Sequence, residues 1–215
     1  MAFPESSVVL LDNFNRAEGF VQEGAGSTIW ENKQIASSGA GQLKTVGEKL
    51  AVAAASVNSI SLNNFGPDLQ GFVEVTTLPS TSEGYFFIAC RINEPSTATW
   101  DGYGFIFIRG AGGWTNQVRR YTNAASTVLG ANNTTTFAVG DSMGWSLEGK
   151  VLKLWRKPSG GAWEELASRE DTTYTAAGKF GVELGDTTGR YDNLNMGTLV
   201  ASAAAFVPHK MPMGV

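Results

Sequence analysis

Gly140-Asp-Ser-Met-Gly144 has the Gly-x-Ser-x-Gly spacing with which hydrolases expose a nucleophilic serine on a strained strand-to-helix turn. Ser142, then Asp186 or Asp192, then His209 would supply nucleophile, acid and base in a workable chain order. An alternating, strand-like stretch follows the motif where a helix is required, and His209, the sole histidine, sits in a proline-flanked tail. The segment therefore reads as a plain β turn. Glycoside hydrolysis asks for two carboxylates about 5–10 Å apart, which on a strand means acids at alternate positions. Glu164-Glu165, Glu170-Asp171 and Glu183 with Asp186 lack that alternation and lie in or beside turns, so they read as solvated surface acids. No catalytic residue is assigned, and the chain is expected not to be an enzyme.

One histidine and one cysteine cannot hold a zinc or iron ion. Calcium takes carboxylate and amide oxygens, and Asp12, Asn13, Asn15, Asp192 and Asn193 would converge if the first and last strands paired. The favoured reading of the same residues is a structural clasp, with Arg16 ion-paired to Asp192. No cofactor is expected, with calcium at Asp12 and Asp192 the alternative. Glycine pairs such as Gly24/Gly26 and Gly102/Gly104 lack the helix and lysine that phosphate binding requires.

Aromatic residues carry the remaining chemical signal. If Phe86, Ile88, Cys90 and Ile92 face a core, alternation puts Tyr85, Phe87 and Arg91 on the opposite face. With Ile106 and Ile108 also inward, Tyr103, Phe105, Phe107 and Arg109 line that same opposite face. A surface of tyrosines and arginines suits sugar stacking and hydroxyl bonding, and suits a protein–protein interface equally well. Tyr85, Arg91, Tyr103, Arg109 and Trp114 are the candidate ligand-binding residues.

The elements that must position these groups are strands. Period-two alternation dominates, from Phe72–Leu78 through Tyr85–Ile92, Gly102–Arg109 and Val118–Tyr121 to a hairpin over Met143–Trp155 with its turn at Glu148-Gly149. Glycine, 26 of 215 residues against a usual share of roughly 7%, supplies the turns that many short strands need. The ala-rich stretch from Lys49 to Val57 reads as strand or loop, since no capping residue precedes it. One domain is expected over residues 1–200, followed by an extended C-terminal arm over 201–215. That arm is apolar for a tail, and Phe206, Val207, Met211 and Met213 are candidates for docking on another subunit.

A net charge of −4 argues against nucleic acid as a partner, and no apolar run is long enough for a membrane-spanning helix. No basic, apolar secretory signal is visible at Met1-Ala-Phe-Pro-Glu5, so the sequons at Asn132 and Asn133 read as loop polarity.

Asp12-x-Phe14-Asn15-Arg16-x-x-Gly19, Trp30, the Tyr85…Arg91 strand, Asp101-Gly-Tyr-Gly, Val139-Gly-Asp, Leu147-Glu-Gly, Asp171-Thr-Thr-Tyr174 and Gly181…Arg190-Tyr-Asp-Asn-Leu194 occur in that order. The series resembles the concanavalin A-like lectin/glucanase (laminin G-like) superfamily, especially versions found in tailed-phage virion proteins. The resemblance spans about residues 8–198. It implies an all-β jelly roll of two stacked antiparallel sheets, one of them concave, with adjacent chain ends. It implies sugar binding on the concave face in some members, hydrolysis by two acids on a concave strand in others, and calcium near the Asp12 and Asp192 positions in a few. The first expectation is a non-enzymatic virion component, a minor tail or capsid decoration protein made in the host cytoplasm. Its partners would be other virion subunits and a host-surface glycan. The alternative is a carbohydrate-binding module or lectin, and a glycan hydrolase or lyase ranks third.

Overall fold

The computed structural model describes residues 3, 9–15, 19–20, 30–31, 43–52, 57–61, 64–93 and 99–199. Alternating apolar residues and frequent turn residues give sixteen strands among them, all paired antiparallel, in two stacked sheets. The architecture is the all-β sandwich expected from the sequence.

The first sheet has nine strands. Numbered along the chain, they run β14 (Glu164–Glu170), β13 (Val151–Lys157), β12 (Ser142–Glu148), β7 (Leu69–Thr77), β16 (Arg190–Thr198), β5 (Lys49–Val52), β4 (Leu43–Val46) and β2 (Gly19–Phe20). β1 (Val9–Asp12) joins β16 beside β5, with Val9 opposite Met196 and Asp12 opposite Leu194. First and last strands therefore do pair. The β12–β13 turn lies at Gly149-Lys150, one residue later than alternation suggested, because Glu148 pairs with Val151 and Gly149 adopts φ +55°.

The second sheet has seven strands, in the order β11 (Ala125–Val128), β10 (Gly113–Thr122), β9 (Asp101–Gly110), β8 (Gly84–Asn93), β15 (Lys179–Leu184), β6 (Val57–Ser61) and β3 (Trp30–Glu31). Between the sheets lies one core, to which this sheet gives Phe86, Ile88, Cys90, Tyr103, Phe105, Phe107, Trp114, Phe180 and Val182. The nine-stranded sheet meets them with Val73, Val75, Trp145, Leu154, Tyr191 and Leu194. Each such side chain contributes about 1.5–3 kcal/mol by leaving water.

The orientation of β9 is the reverse of the sequence expectation: Phe105 and Phe107 face the core, while Ile106 belongs to a second apolar cluster on the outside of the sheet. Both parities of this strand are apolar, so glycine decides. Gly102 and Gly104 share the parity of Ile106, and turning them inward would leave voids between the sheets. Outside, the emptiness is used. A Cβ on Gly104 would come within 2.4 Å of the Phe87 ring and 2.8 Å of Tyr121, whose rings lie over it.

β8 carries a bulge. Ala89 pairs with Gly181 and Ile92 with Lys179, leaving Cys90 and Arg91 against Phe180 alone. Arg91 adopts φ +51°, a left-handed conformation that shifts the alternation of everything after it. Ile92 turns outward, and Arg91, only 2% exposed, turns to the end of the sandwich. Its Nε donates to the carbonyl of Pro67 at 2.6 Å, Nη1 to Tyr174 at 2.7 Å and Nη2 to Gly149 at 2.9 Å. Asp68 lies 3.5 Å from Nη2 and lends a charge. One guanidinium thus ties three loops to the seven-stranded sheet.

Lysine cannot reproduce that fork. Arg91→Lys leaves two buried carbonyls without donors, and is expected to lower stability by about 3 kcal/mol, seen as a fall in Tm of roughly 6–12 °C. A melt within 2 °C of wild type would show that the fork does not hold the loops.

Candidate functional site

The outside of the seven-stranded sheet is built in rows that cross it from strand to strand. Register places Glu183, Phe87, Ile106 and Gln117 in one row, and Tyr85, Ile108 and Thr115 in the row beside it. On the other side come Gly181, Ala89, Gly104 and Arg119, a line of small residues closed by an arginine. Rings fall into the hollow that this line leaves. Tyr121 stacks on Trp100 with centroids 4.3 Å apart and planes 22° from parallel, and meets Phe87 edge-on at 5.6 Å.

Trp100 is held there by the turn that joins β10 to β11. Asn123 and Ala124 both have positive φ, at 50° and 61°, as a two-residue hairpin loop requires. The Ala124 N–H donates to the Trp100 carbonyl at 2.9 Å, and the Asn123 N–H to the Asp101 carboxylate at 2.8 Å. The result is a cleft of about 600 Å³. Its floor is Phe87, Trp100 and Ile106, and its polar rim includes Glu83, Tyr85, Thr115, Arg119, Tyr121 and Ser126.

Glu183 is the charged group in the depth of this cleft, 4% exposed. The Tyr85 hydroxyl donates to its Oε1. Tyr85 is aimed by Gly185, where a Cβ would come within 2.1 Å of the tyrosine ring. Burial pushes the Glu183 carboxyl above the ordinary glutamate range, and the Tyr85 hydrogen bond opposes that in part. Burial also raises Tyr121, against the pull of the Arg119 charge, and the negative charge of Glu183 adds to the rise. Arg119 is steadied by Gln117, whose Oε1 accepts from its Nε at 2.7 Å.

Of the five ligand residues expected from sequence, Tyr85 lines the cleft. Arg91 is displaced by the bulge into the loop tie already described. Tyr103 is fully buried between the sheets, its hydroxyl donating to Asp171 Oδ1 at 2.8 Å and accepting from the Tyr174 N–H at 3.0 Å. Trp114 packs inward on Phe137, 5.2 Å between centroids. Arg109 donates to the Pro79 carbonyl at 2.7 Å and stands outside the cleft lining. The cleft instead uses Glu183, Arg119, Tyr121, Trp100, Ile106 and Ile108. The signal that marks them is the parity of Gly102 and Gly104, since rings gather on the glycine side of β9.

At the expected clasp the described residues set a lysine beside Asp192. Asp192 accepts from the Lys49 ammonium through Oδ2 and from the Asn193 N–H through Oδ1, because β5 lies directly beside β16. Arg16 lies outside the described residues. Asp12 accepts from the Phe14 N–H at 2.8 Å. Among the described residues no group of three or more acids, histidines or cysteines is gathered that could hold a metal ion. Ser142 opens β12 with no helix behind it, and Asp141 closes the preceding turn through Ala138, Arg156 and Ser159. His209, the arm over 201–215, and Phe206, Val207, Met211 and Met213 lie outside the described residues.

No protein-family model and no curated protein matches the chain in sequence. Among solved structures, the carbohydrate binding module CBM66 from Bacillus subtilis superposes with a TM-score of 0.60 at 16% identity, covering 80% of this chain and 96% of its own. The CBM2 module of the evolved Dit of Lactobacillus casei BL23 phage J-1 also gives 0.60, at 9% identity, covering 91% of this chain and 99% of its own. The β-glucanase of Bacillus licheniformis gives 0.54 at 11% identity, covering 86% and 99%. The fold is that of the jelly-roll lectins, carbohydrate-binding modules and glucanases, the concanavalin A-like sandwich. At these identities the likeness concerns the fold, and function must be argued from the site.

The buried acid has a measurable signature. With the Glu183 pKa raised on folding, the native state holds its proton to higher pH than the unfolded chain, so this residue's contribution to stability declines as pH rises from the ordinary glutamate range through the raised value. Glu183→Gln removes that decline. The variant is expected to melt higher than wild type at neutral pH, with the gap closing in acid; a gap that is constant with pH would mean Glu183 titrates normally.

Proposed function

We propose that the chain is a non-catalytic carbohydrate-binding domain that takes a glycan in the cleft on the outer face of the seven-stranded sheet. The observation that carries this reading is the cleft itself: half-buried Tyr85 and Tyr121 over an apolar floor, with a carboxyl, a guanidinium and hydroxyls at its edge. Sugar rings present apolar C–H faces and equatorial hydroxyls, and such a surface satisfies both at once. Similarity to carbohydrate-binding modules supports the same reading. Hydrolysis is less well supported, because the two carboxyls at the cleft are unlike a catalytic pair: Glu183 is bonded to Tyr85 in the floor, and Glu83 stands exposed in the turn before β8.

A glycan array probed with the purified domain tests this. Binding is expected, with Tyr121→Ala weakening the best ligand by at least about tenfold, or ~1.4 kcal/mol, and Val139→Ser, exposed in the turn before β12 and outside the cleft lining, leaving it unchanged. An array blank for the folded wild type would overturn the proposal.

A second reading keeps the cleft and sets the domain in a tailed-phage virion, docked on other subunits and presenting the cleft to host glycans. What supports it is the similarity over nearly the full length of both chains to the phage J-1 module. Mass spectrometry of purified particles should then detect the chain at a fixed ratio to the capsid or tail proteins, and its absence from particles would remove this setting while leaving the cleft's role intact.

A further inference from the structure

We propose that Glu183 is the specificity-determining residue of the cleft, its Oε2 accepting a hydroxyl hydrogen from a neutral sugar ring and turning away glycans that place a carboxylate or sulfate there. The inference rests on the carbohydrate-binding reading and deepens it.

Three observations meet at this one group. Glu183 is almost wholly buried yet lines the cleft, so a ligand seated there would meet a carboxyl largely shielded from bulk water. Among the described residues its carboxyl has a single hydrogen bond, from the Tyr85 hydroxyl to Oε1, which leaves Oε2 for a ligand. Towards β8 and β9 its neighbours in the same row are apolar, with Phe87 directly opposite on β8 and Ile106 one strand further. In such surroundings a carboxylate whose second oxygen has no donor among the described residues is costly, and a donor hydroxyl relieves that cost through a charge-assisted hydrogen bond. An anionic ligand at the same place would meet a like charge where little water screens it.

The groups around Glu183 do not cancel this preference. β6, its other neighbour, brings no titratable residue in Val57–Ser61. β8 brings Tyr85, and the turn before β8 brings Glu83, a second negative charge at the rim. Across the cleft stand Tyr121 and Arg119, the latter held by Gln117. On β15 itself the remaining charged residue is Lys179, two strand positions further along that face than Gly181. Since hydroxyl donors bond best to the ionised carboxyl, affinity for a neutral glycan rises as pH climbs through the Glu183 range and then levels.

The test uses wild type, Glu183→Gln and Tyr85→Phe, each shown to be folded by its melt. All three are run on an array of neutral oligosaccharides and matched chains carrying a uronate or sialic acid. The best neutral ligand is then titrated calorimetrically from about pH 4 to pH 8. Wild type should prefer the neutral set, with affinity rising with pH. Glu183→Gln should lose about tenfold on the neutral ligand at the upper pH, bind the acidic chains comparatively better, and show a flat pH profile. Tyr85→Phe should keep the neutral preference with a smaller loss, about threefold, because Oε2 remains. Unchanged affinity, selectivity and pH profile in Glu183→Gln would overturn the inference while the cleft's carbohydrate role stands. A wild type that prefers acidic chains would overturn it in favour of Arg119, and a wild type that binds no glycan would remove both.

Discussion

The extra residue in β8 is the constraint from which the rest of the molecule takes its form. Two backbone positions, Cys90 and Arg91, share the space of one, and close packing around them is possible because glycine stands on either side. A Cβ at Gly102 would lie 2.8 Å from the Cys90 carbonyl oxygen, and one at Gly178 would lie 2.7 Å from the Arg91 carbonyl carbon. Before the bulge, β8 gives Phe86 and Ile88 to the core and Tyr85 and Phe87 to the cleft. After it, the parity is reversed, so Ile92 reaches the outer cluster with Trp100. The same irregularity sends Arg91 out of the sheet's alternation to bind three loops. A straight strand would leave those loops without a tie and Trp100 without its apolar neighbour. A bulge beside a binding site re-aims side chains in this manner.

The strands were legible in the sequence because period-two alternation and glycine-rich turns are local properties. The pairing of first and last strands was legible too, from the likeness of their sequences. Faces were legible only where one parity is polar. In β9, Tyr103, Phe105 and Phe107 alternate with Ile106 and Ile108, so hydrophobicity is silent and the two glycines decide through packing. In β8 nothing in Ala89-Cys-Arg-Ile92 announces an extra residue, since the bulge depends on glycines distant in the chain. The Lys49 partner of Asp192 escaped the sequence for a related reason: it comes near through the pairing of β5 with β16, which has no local signal. The cleft needed all of these long-range facts at once.

Acid spacing misled in a more instructive way. Glu183 and Asp186 are three residues apart and look alike in sequence, but they do opposite things. Asp186 lies just beyond the strand; burial pushes its pKa up, but its carboxylate accepts from the Thr188 hydroxyl and the backbone of Ser80 and Gly189, and together these bonds hold it below the ordinary range. It closes a turn. Glu183 is still within β15 and points into the cleft with one bond, so burial dominates and its proton affinity rises. Number of donors, more than depth, separates the structural acid from the candidate functional one.

That contrast bears on why an acid should stand in the cleft floor at all. A leucine there would extend the apolar surface of Phe87 and Ile106, and a glutamine would keep the Tyr85 bond without the burden of a buried charge. Either would serve the fold at least as well. Local rules of burial are broken in folded proteins chiefly where a site has work to perform, and the loss of stability is tolerated there. Glu183 fits that pattern in its position as well as in its energetics: it lines the cleft, whereas Arg91 and Asp171 also carry charge but are matched by several partners each. A matched buried charge stabilises an arrangement already complete. A carboxyl with one oxygen unmatched among the described residues describes an arrangement that a ligand's hydroxyl would complete.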